Sequence, residues 1–186
     1  MKLHIKNMVS LRCKLMVEAE LEKLGIEYTS VELGEAEISQ NISMTLQEEL
    51  KTSLRKVGLD LIHDPKSILV EKIKSLIIEM IHFDRELPKM NYSDYISQKL
   101  NYNYCYLANL FSERNGTSIR EFIIAHKIER AKELFLYQQL TFSEIVWRLH
   151  YSSLPHLSAQ FKKVTGLTPS LFKKMKQKKL VALENL

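Results

Sequence analysis

One stretch of this sequence occurs twice, and the two copies lie fifty positions apart. Residues 106–122 reappear as residues 156–172 with the same spacing of apolar, glycine and hydroxyl-bearing positions. The matching pairs are Leu107 and Leu157, Phe111 and Phe161, Gly116 and Gly166, Ser118 and Thr168, and Phe122 and Phe172. Leucine and phenylalanine four residues apart share one helix face, a glycine can end that helix in a left-handed conformation, and a hydroxyl two residues later can cap the next helix. A repeat at a fixed offset indicates a duplicated supersecondary unit, so each copy predicts a helix, a tight turn and a second helix.

A short amphipathic segment and a turn precede each copy, which completes two predicted units at about residues 93–116 and 141–166. This spacing is typical of a helix-turn-helix, in which the second helix is presented to the DNA major groove. The two recognition helices are predicted at about residues 103–115 and 153–164. The simpler alternative is a helical hairpin repeat that only builds a core.

The charge of the chain favours the first of these interpretations. Residues 1–64 carry a net charge of −3 and residues 65–186 a net charge of +8, within the overall +5. A basic surplus confined to the part with the repeats suits a phosphate-binding module, because each neutralised phosphate releases counterions. We therefore expect double-stranded DNA to be the partner.

Three runs in the basic part resemble the AraC/XylS family of transcription regulators: IERAKEL at residues 128–134, EIV at residues 144–146 and HLSAQFKKVTGLTP at residues 156–169. The resemblance covers about residues 66–178. It implies two helix-turn-helix units joined by a long helix from residue 118 to about residue 135.

Four positions depart from the pattern of that family. His150 stands where the family usually has a turn glycine, and Val146 stands where it has a small alanine. Pro155 and Ala159 stand where polar or basic recognition residues are common. These departures bear on base readout by the second unit and not on the fold.

The N-terminal part predicts a ferredoxin-like domain with the element order βαββαβ over residues 1–63. Alternating or apolar runs mark strands at residues 3–7, 28–33, 36–38 with an extension toward residue 42, and 59–62. One helix is predicted to begin near residue 13. A second begins at residue 45, where residues 45–48 have the sequence of a capping box. Asp64 and Pro65 suit the N-cap and first position of a helix. An all-α domain is therefore predicted to begin here and to cover residues 64–186. Its first helix carries an apolar stripe of Leu69, Ile73, Leu76, Ile77 and Met80. The fold class is therefore two domains, a small α+β domain followed by an all-α double helix-turn-helix domain.

Residues 8–13 (MVSLRC) resemble the Met-x-Cys-x-x-Cys site of heavy-metal-associated domains, found in copper chaperones and transport ATPases. Ser10 replaces the first cysteine, and a hydroxyl is a poor ligand for copper(I), which prefers sulfur. Cys13 is the candidate ligand for copper(I) or another soft metal, alone or with a second chain's cysteine. The alternative is that Cys13 is only the first apolar residue of its helix.

The predicted recognition helices point two sets of side chains away from the core. Candidates for base readout are Tyr104, Cys105, Ala108, Asn109 and Ser112 in the first helix, and Leu154, Pro155, Ser158 and Ala159 in the second. Asn109 is the strongest of these, because an amide can form two hydrogen bonds with adenine. The second set is poor in such groups and is expected to depend more on DNA shape and phosphate contacts.

Cations near these helices are candidates for phosphate contacts, with ordinary solvated charges as the alternative. They are Arg120, Lys127, Arg130, Arg148, Lys162 and Lys163. The basic tail from Lys173, which includes Lys174, Lys176, Lys178 and Lys179, is a further candidate.

Composition limits the other classes of function. Two cysteines, Cys13 and Cys105, do not form a disulfide framework, no apolar run reaches the length of a membrane span, and the first residues do not resemble a secretory signal. The six histidines lack metal-ligand spacing and there is no glycine-rich phosphate loop. We therefore expect a soluble, cytoplasmic protein that is not an enzyme and does not contact a membrane.

The sequence thus predicts a sequence-specific DNA-binding transcription regulator whose N-terminal domain senses a ligand, dimerises or docks a partner. A homodimer is one arrangement that it leaves open. The alternative is a metal carrier of the copper-chaperone type whose basic helical half binds nucleic acid or protein only loosely.

Overall fold

The computed structural model describes residues 1–83, 90–137 and 140–175 of the chain. Its contacts divide the chain into two units, one of Met1–Ile77 with Ser93–Gly116 and one of Ile78–Tyr92 with Thr117–Leu186. This division groups the first predicted helix-turn-helix with the N-terminal sheet. The predicted domain boundary between residues 63 and 64 stays a prediction.

A four-stranded antiparallel sheet forms the N-terminal part, with the strand order β2-β3-β1-β4. The strands are β1 (Lys2–Lys6), β2 (Tyr28–Glu32), β3 (Glu35–Ile38) and β4 (Asp60–Ile62). Leu3 and Ile5 of the central strand β1 are buried while their neighbours are more exposed, which is the alternation expected of a strand with one face on a core. The predicted order of strands and helices is confirmed.

Two helices connect these strands, α1 (Leu11–Lys23) and α2 (Met44–Lys56), and they contact each other. They bury Val17 and Leu21 of α1 and Leu50 and Leu54 of α2. Apolar residues three or four apart lie on one helix face, and that face is the buried one in both helices.

Two local predictions in this part are wrong. The third strand ends at Ile38 and does not extend to Ile42. The predicted capping box at residues 45–48 is replaced by Ser43, whose hydroxyl accepts a hydrogen bond of 3.2 Å from the amide of Leu46. Ser43 has an extended backbone and directly precedes the first helical residue, which is the position from which a side chain can pair with a free amide of the first helical turn. Thr45 already lies inside the helix.

Helix α3 (Pro65–Ile78) begins as predicted and continues into a π-helical turn at Glu79–Phe83. The Asp64 carboxylate accepts hydrogen bonds from the Ser67 amide and hydroxyl at 3.0 and 2.7 Å, and these bonds lower its pKa. Four positions of the predicted stripe are buried, and the fifth, Leu76, is half-buried. The sequence, with Pro88, predicts a loop over residues 82–92, and its central part, residues 84–89, lies outside the described residues.

The remaining helices follow the predicted helix-turn-helix order. They are α4 (Tyr92–Leu100), α5 (Tyr104–Asn115), α6 (Ile119–Tyr137), α7 (Phe142–Arg148) and α8 (Leu154–Thr165), with residues 169–175 also helical. In the second unit, the Phe161 ring lies edge-on to Phe135 and Phe172 at 5.9 and 5.4 Å within a buried apolar cluster. Among helices of the described ranges, none is long and apolar enough to cross a membrane.

Candidate nucleic-acid interface

Both predicted recognition helices begin and end with the same local chemistry. Asn103 caps α5 by accepting a 2.8 Å hydrogen bond from the Cys105 amide, and Ser153 caps α8 by accepting one from the His156 amide. Each helix ends at a left-handed glycine, Gly116 with φ +72° and Gly166 with φ +76°. Glycine adopts this conformation without a steric penalty. The helix limits predicted from the fifty-residue repeat are confirmed within one residue.

Capping boxes open the helices next to them. In α7, Thr141 and Glu144 bond to each other's backbone amides, and in α6, Ser118 and Glu121 do the same. The hydrogen bond from the Ser118 amide lowers the pKa of Glu121. Such boxes satisfy amides that the helix leaves unpaired, so each helix start is fixed by its own sequence.

The turn inside each helix-turn-helix contains one residue in the left-handed region. These residues are Asn101 with φ +56° and His150 with φ +49°. Asparagine tolerates this conformation because its side chain bonds locally, whereas histidine pays a larger steric penalty. The turn thus has the expected geometry at His150 although the residue is not glycine.

The inward faces of both recognition helices match the prediction. Leu107, Leu110 and Phe111 of α5 are buried, as are Leu157 and Phe161 of α8. These residues hold each helix against its core and fix which side chains remain outside.

The base-readout candidates do not all lie on the outer face. Cys105, Asn109 and Ser112 are exposed on α5, and Asn109 makes no hydrogen bond to another described residue. Tyr104 and Ala108 are half-buried, and burial raises the pKa of the Tyr104 phenol. On α8, Leu154, Pro155 and Ala159 are exposed and Ser158 is half-buried.

Lys127 is not available for the phosphate contact predicted for it, because the structure buries it to 6% exposure. Its ammonium donates to the Tyr92 hydroxyl at 3.2 Å and lies over the Tyr151 ring at 4.4 Å from the centroid. Burial lowers the pKa of Lys127 to about 8. A signal for this position was present, because Ile123, Lys127, Ala131 and Leu134 follow the four-four-three spacing of a buried helix face.

The other cations differ in their exposure. Arg120, Lys162 and Lys163 are exposed and Arg148 is half-buried. Arg130 is 18% exposed and donates a 2.7 Å hydrogen bond to Glu133, so a phosphate would have to compete with that carboxylate. Lys173 is half-buried and Lys174 exposed, while Lys176, Lys178 and Lys179 lie outside the described residues.

The sequence interpretation missed one exposed stripe on each recognition helix. The first consists of Tyr102, Tyr106, Asn109 and Glu113, and the second, fifty positions later, of Ser152, His156, Ala159 and Lys163. Residues at this spacing share one side of a helix. Applying the offset of fifty to the outer face as well as to the core would have found both stripes.

The candidate metal ligand Cys13 is half-buried, with its sulfur 3.5 Å from the Ser10 hydroxyl. Burial acts to raise the pKa of this thiol, but the hydrogen bond with Ser10 and the backbone groups of Val9, Ser10 and Cys13 outweigh it and lower the pKa. In the part of the chain that the structure describes, no three histidine, cysteine or acidic residues lie together as metal ligands. A single thiolate with a neutral hydroxyl is a poor fit for copper(I).

Comparison with known proteins bears on the helical part. A family model described as "Helix-turn-helix domain" matches residues 96–175. The protein named "Uncharacterized HTH-type transcriptional regulator YtdP" of Bacillus subtilis (strain 168) is 26% identical over 160 residues, which is 83% of this chain and 20% of that protein. The chain therefore spans about a fifth of the length of this relative.

Solved structures share the fold of the same part. The C-terminal domain of AraT, a response regulator from Geobacillus stearothermophilus, matches with a TM-score of 0.50 and 24% identity over 60% of this chain and 88% of that chain. A transcriptional regulator of the AraC-type DNA-binding domain-containing proteins, from Chromobacterium violaceum, matches with a TM-score of 0.50 and 19% identity over 58% and 91%. The C-terminal part of this chain is all-helical, matches the helix-turn-helix family model and shares the fold of these two structures. The names of these matched proteins describe transcriptional or response regulators.

Proposed function

We propose that this chain is a sequence-specific, DNA-binding regulator of transcription whose two recognition helices enter adjacent major-groove segments. The observation that carries the proposal is the duplicated construction of α5 and α8, each with a polar N-cap, a buried inner face and a left-handed glycine at its end. The match of residues 96–175 to a helix-turn-helix family model supports this function over that of a plain core-building hairpin. Groove segments on one side of B-DNA recur about every 34 Å.

The two helices are proposed to contribute differently. On α5 the readout falls to Asn109, with Cys105 and Ser112 beside it, because these three are exposed. On α8 the face offers Pro155 and Ala159 at the matching positions, and Lys162 and Lys163 follow them. We therefore assign base readout mainly to α5 and phosphate attachment mainly to α8.

Selection of a preferred duplex from a random library by the whole chain tests this proposal. The affinity for the selected duplex and for a scrambled duplex is then measured by fluorescence anisotropy at about 0.15 M salt. Asn109→Ala should lower the affinity for the selected duplex by roughly fivefold to a hundredfold, since a bidentate amide–adenine pair discriminates by about 1–3 kcal/mol. Affinity for the scrambled duplex should not change. Enrichment of no sequence, or equal loss on both duplexes, contradicts the proposal.

For the N-terminal part we propose a ferredoxin-like domain that senses a ligand, dimerises or docks a partner. Support comes from the element order and from the antiparallel strand order β2-β3-β1-β4. The metal-carrier alternative has less support, because Ser10 and Cys13 supply one sulfur between them. A competitive copper(I) titration of the chain and of Cys13→Ala tests it. Tight binding that is lost in the variant favours the alternative, and equal weak binding in both excludes it.

A further inference from the structure

A stacked pair of tyrosines stands at the N-terminal end of the first recognition helix. Tyr102 lies in the turn before α5 and Tyr106 in its first turn, and their rings are 5.8 Å apart with planes inclined by 25°. Their exposed fractions are 49% and 45%, although both side chains are large and apolar. Neither hydroxyl bonds to another residue within the described part of the chain. The pair therefore packs on itself and presents aromatic surface to the outside.

The two equivalent positions of the second helix-turn-helix are also paired with each other. Fifty residues later stand Ser152 and His156, and the Ser152 hydroxyl lies 3.0 Å from Nδ1 of His156. The other ring nitrogen of His156 lies 3.0 Å from the Gln160 amide nitrogen. Each recognition helix thus carries a side-chain pair fixed in place before any ligand binds, and such pre-organisation lowers the entropic cost of binding.

The charged residues near the two pairs differ, and this difference affects which parts of DNA each pair can contact. The stripe of Tyr102 and Tyr106 runs along α5 to Glu113, and residues 102–113 contain no lysine or arginine. Arg114 follows but is paired with Asp64 at 3.4 Å. The equivalent stripe on α8 ends at Lys163. An exposed face without cations gains little from the release of counterions at phosphates, which favours contacts with base edges.

From these observations we infer that Tyr102 and Tyr106 form an apolar reader of thymine in the major groove, in contact with the C5-methyl groups. The inference rests on the proposed function. The N-terminal residues of a recognition helix are those that approach base edges. The C5-methyl is the apolar feature that the major groove displays, and apolar side chains discriminate thymine by contact with it. Asn109, on the same stripe, would pair with a neighbouring adenine.

Replacing thymine by deoxyuridine tests this inference, because the exchange removes the methyl group and leaves base pairing intact. The duplex selected by the unmodified chain is scanned one thymine at a time, and affinities are measured by anisotropy. At one or two positions the unmodified chain should bind about fourfold more weakly for each methyl lost, the factor expected for removing one buried methyl-sized group. Both Tyr102→Ser and Tyr106→Ser should bind the thymine duplex more weakly and lose the difference between thymine and deoxyuridine at those positions.

Three controls separate the inference from its alternatives. Tyr106→Phe should keep the sensitivity to methyl removal; a uniform loss of affinity in this variant would indicate a phosphate contact by the hydroxyl and overturn the inference. Tyr137→Ser, at a tyrosine that is 80% exposed on α6, should change nothing. Sensitivity that persists in both serine variants, or is absent in the unmodified chain, also overturns the inference while the proposed function stands. Selection of no duplex by the unmodified chain overturns both.

Discussion

Replacing the buried Lys127 by methionine should stabilise the protein near neutral pH. The lysine is enclosed by the Tyr92 and Tyr151 rings, and no carboxylate forms an ion pair with it among the residues described. Burial lowers its pKa from 10.5 to about 8, and each pKa unit corresponds to about 1.4 kcal/mol. Keeping Lys127 charged below pH 8 therefore costs about 3 kcal/mol of folding free energy. Methionine has a similar length and no charge, but it leaves the Tyr92 hydroxyl without its donor, at a cost of about 1 kcal/mol. It also removes the cation–π contact with the Tyr151 ring, which contributes about 1 kcal/mol, so the expected net gain at pH 7 is about 1 kcal/mol.

The sign of the pH dependence follows from proton binding. Between pH 8 and 10.5 the unfolded chain holds the Lys127 proton and the folded chain has released it, so stability rises with pH in this window. Below pH 8 both states are protonated and the penalty is fully present. From pH 7 to 9.5 the unmodified protein should gain about 2 kcal/mol from this one group, and Lys127→Met should not gain it.

Urea unfolding followed by circular dichroism at pH 7 and pH 9.5 measures both effects. Lys162→Met, at an exposed lysine on α8, is the matched control and should follow the unmodified protein at both pH values. A Lys127→Met variant that is less stable than the unmodified protein at pH 7 would refute the reasoning. So would a difference between the two proteins that is the same at both pH values.

Three further predictions concern the turn, a half-buried pair of histidines and the phosphate contacts. His150→Gly should raise the free energy of unfolding by about 1 kcal/mol, because φ +49° strains a residue with a Cβ; urea unfolding that shows a loss of stability would contradict this. His82 Nε2 and His126 Nδ1 lie 3.3 Å apart. Burial lowers the pKa of His126 to about 4, so the free energy of unfolding should fall as pH drops from about 6.5 toward 4. Thermal unfolding over that range should show a smaller fall in His126→Phe, and an equal fall in both proteins would count against a neutral His126 in the folded protein. Lys162→Gln should reduce the slope of log affinity against log salt by about one, whereas Arg130→Gln, already paired with a carboxylate, should reduce it less; the reverse order would return Arg130 to the phosphate contacts.

Local signals in the sequence were sufficient for the limits of the two recognition helices and the turns before them. Gly116 and Gly166 mark helix ends because a residue without a Cβ adopts the left-handed region freely. Asn103 and Ser153 mark helix starts because their side chains bond to amides only two or three positions away. The strand limits of the sheet followed for the same reason, since alternation reports burial residue by residue, except that the third strand stops at Ile38.

The sequence predicted less well which side chains are buried by tertiary packing. A lysine predicts exposure, and only the whole face of α6 indicates that Lys127 is inside. Two hydroxyl-bearing residues lie close together at the start of α2. Ser43, and not Thr45, caps the helix because it directly precedes the first helical residue and its hydroxyl accepts the hydrogen bond from the Leu46 amide. The predicted outward face of α5 includes Tyr104, which is half-buried, and omits Tyr106, which is exposed.

Footprinting on the selected duplex tests the central claim most directly. Protection of guanine N7 from methylation reports occupancy of the major groove along each strand. Two recognition helices in adjacent groove segments predict two protected clusters separated by about one helical turn, roughly 10 base pairs, and Asn109→Ala should weaken the cluster that contains its base contact. A single protected cluster, or protection that a scrambled duplex reproduces, would contradict the proposal that both helices of this chain read DNA.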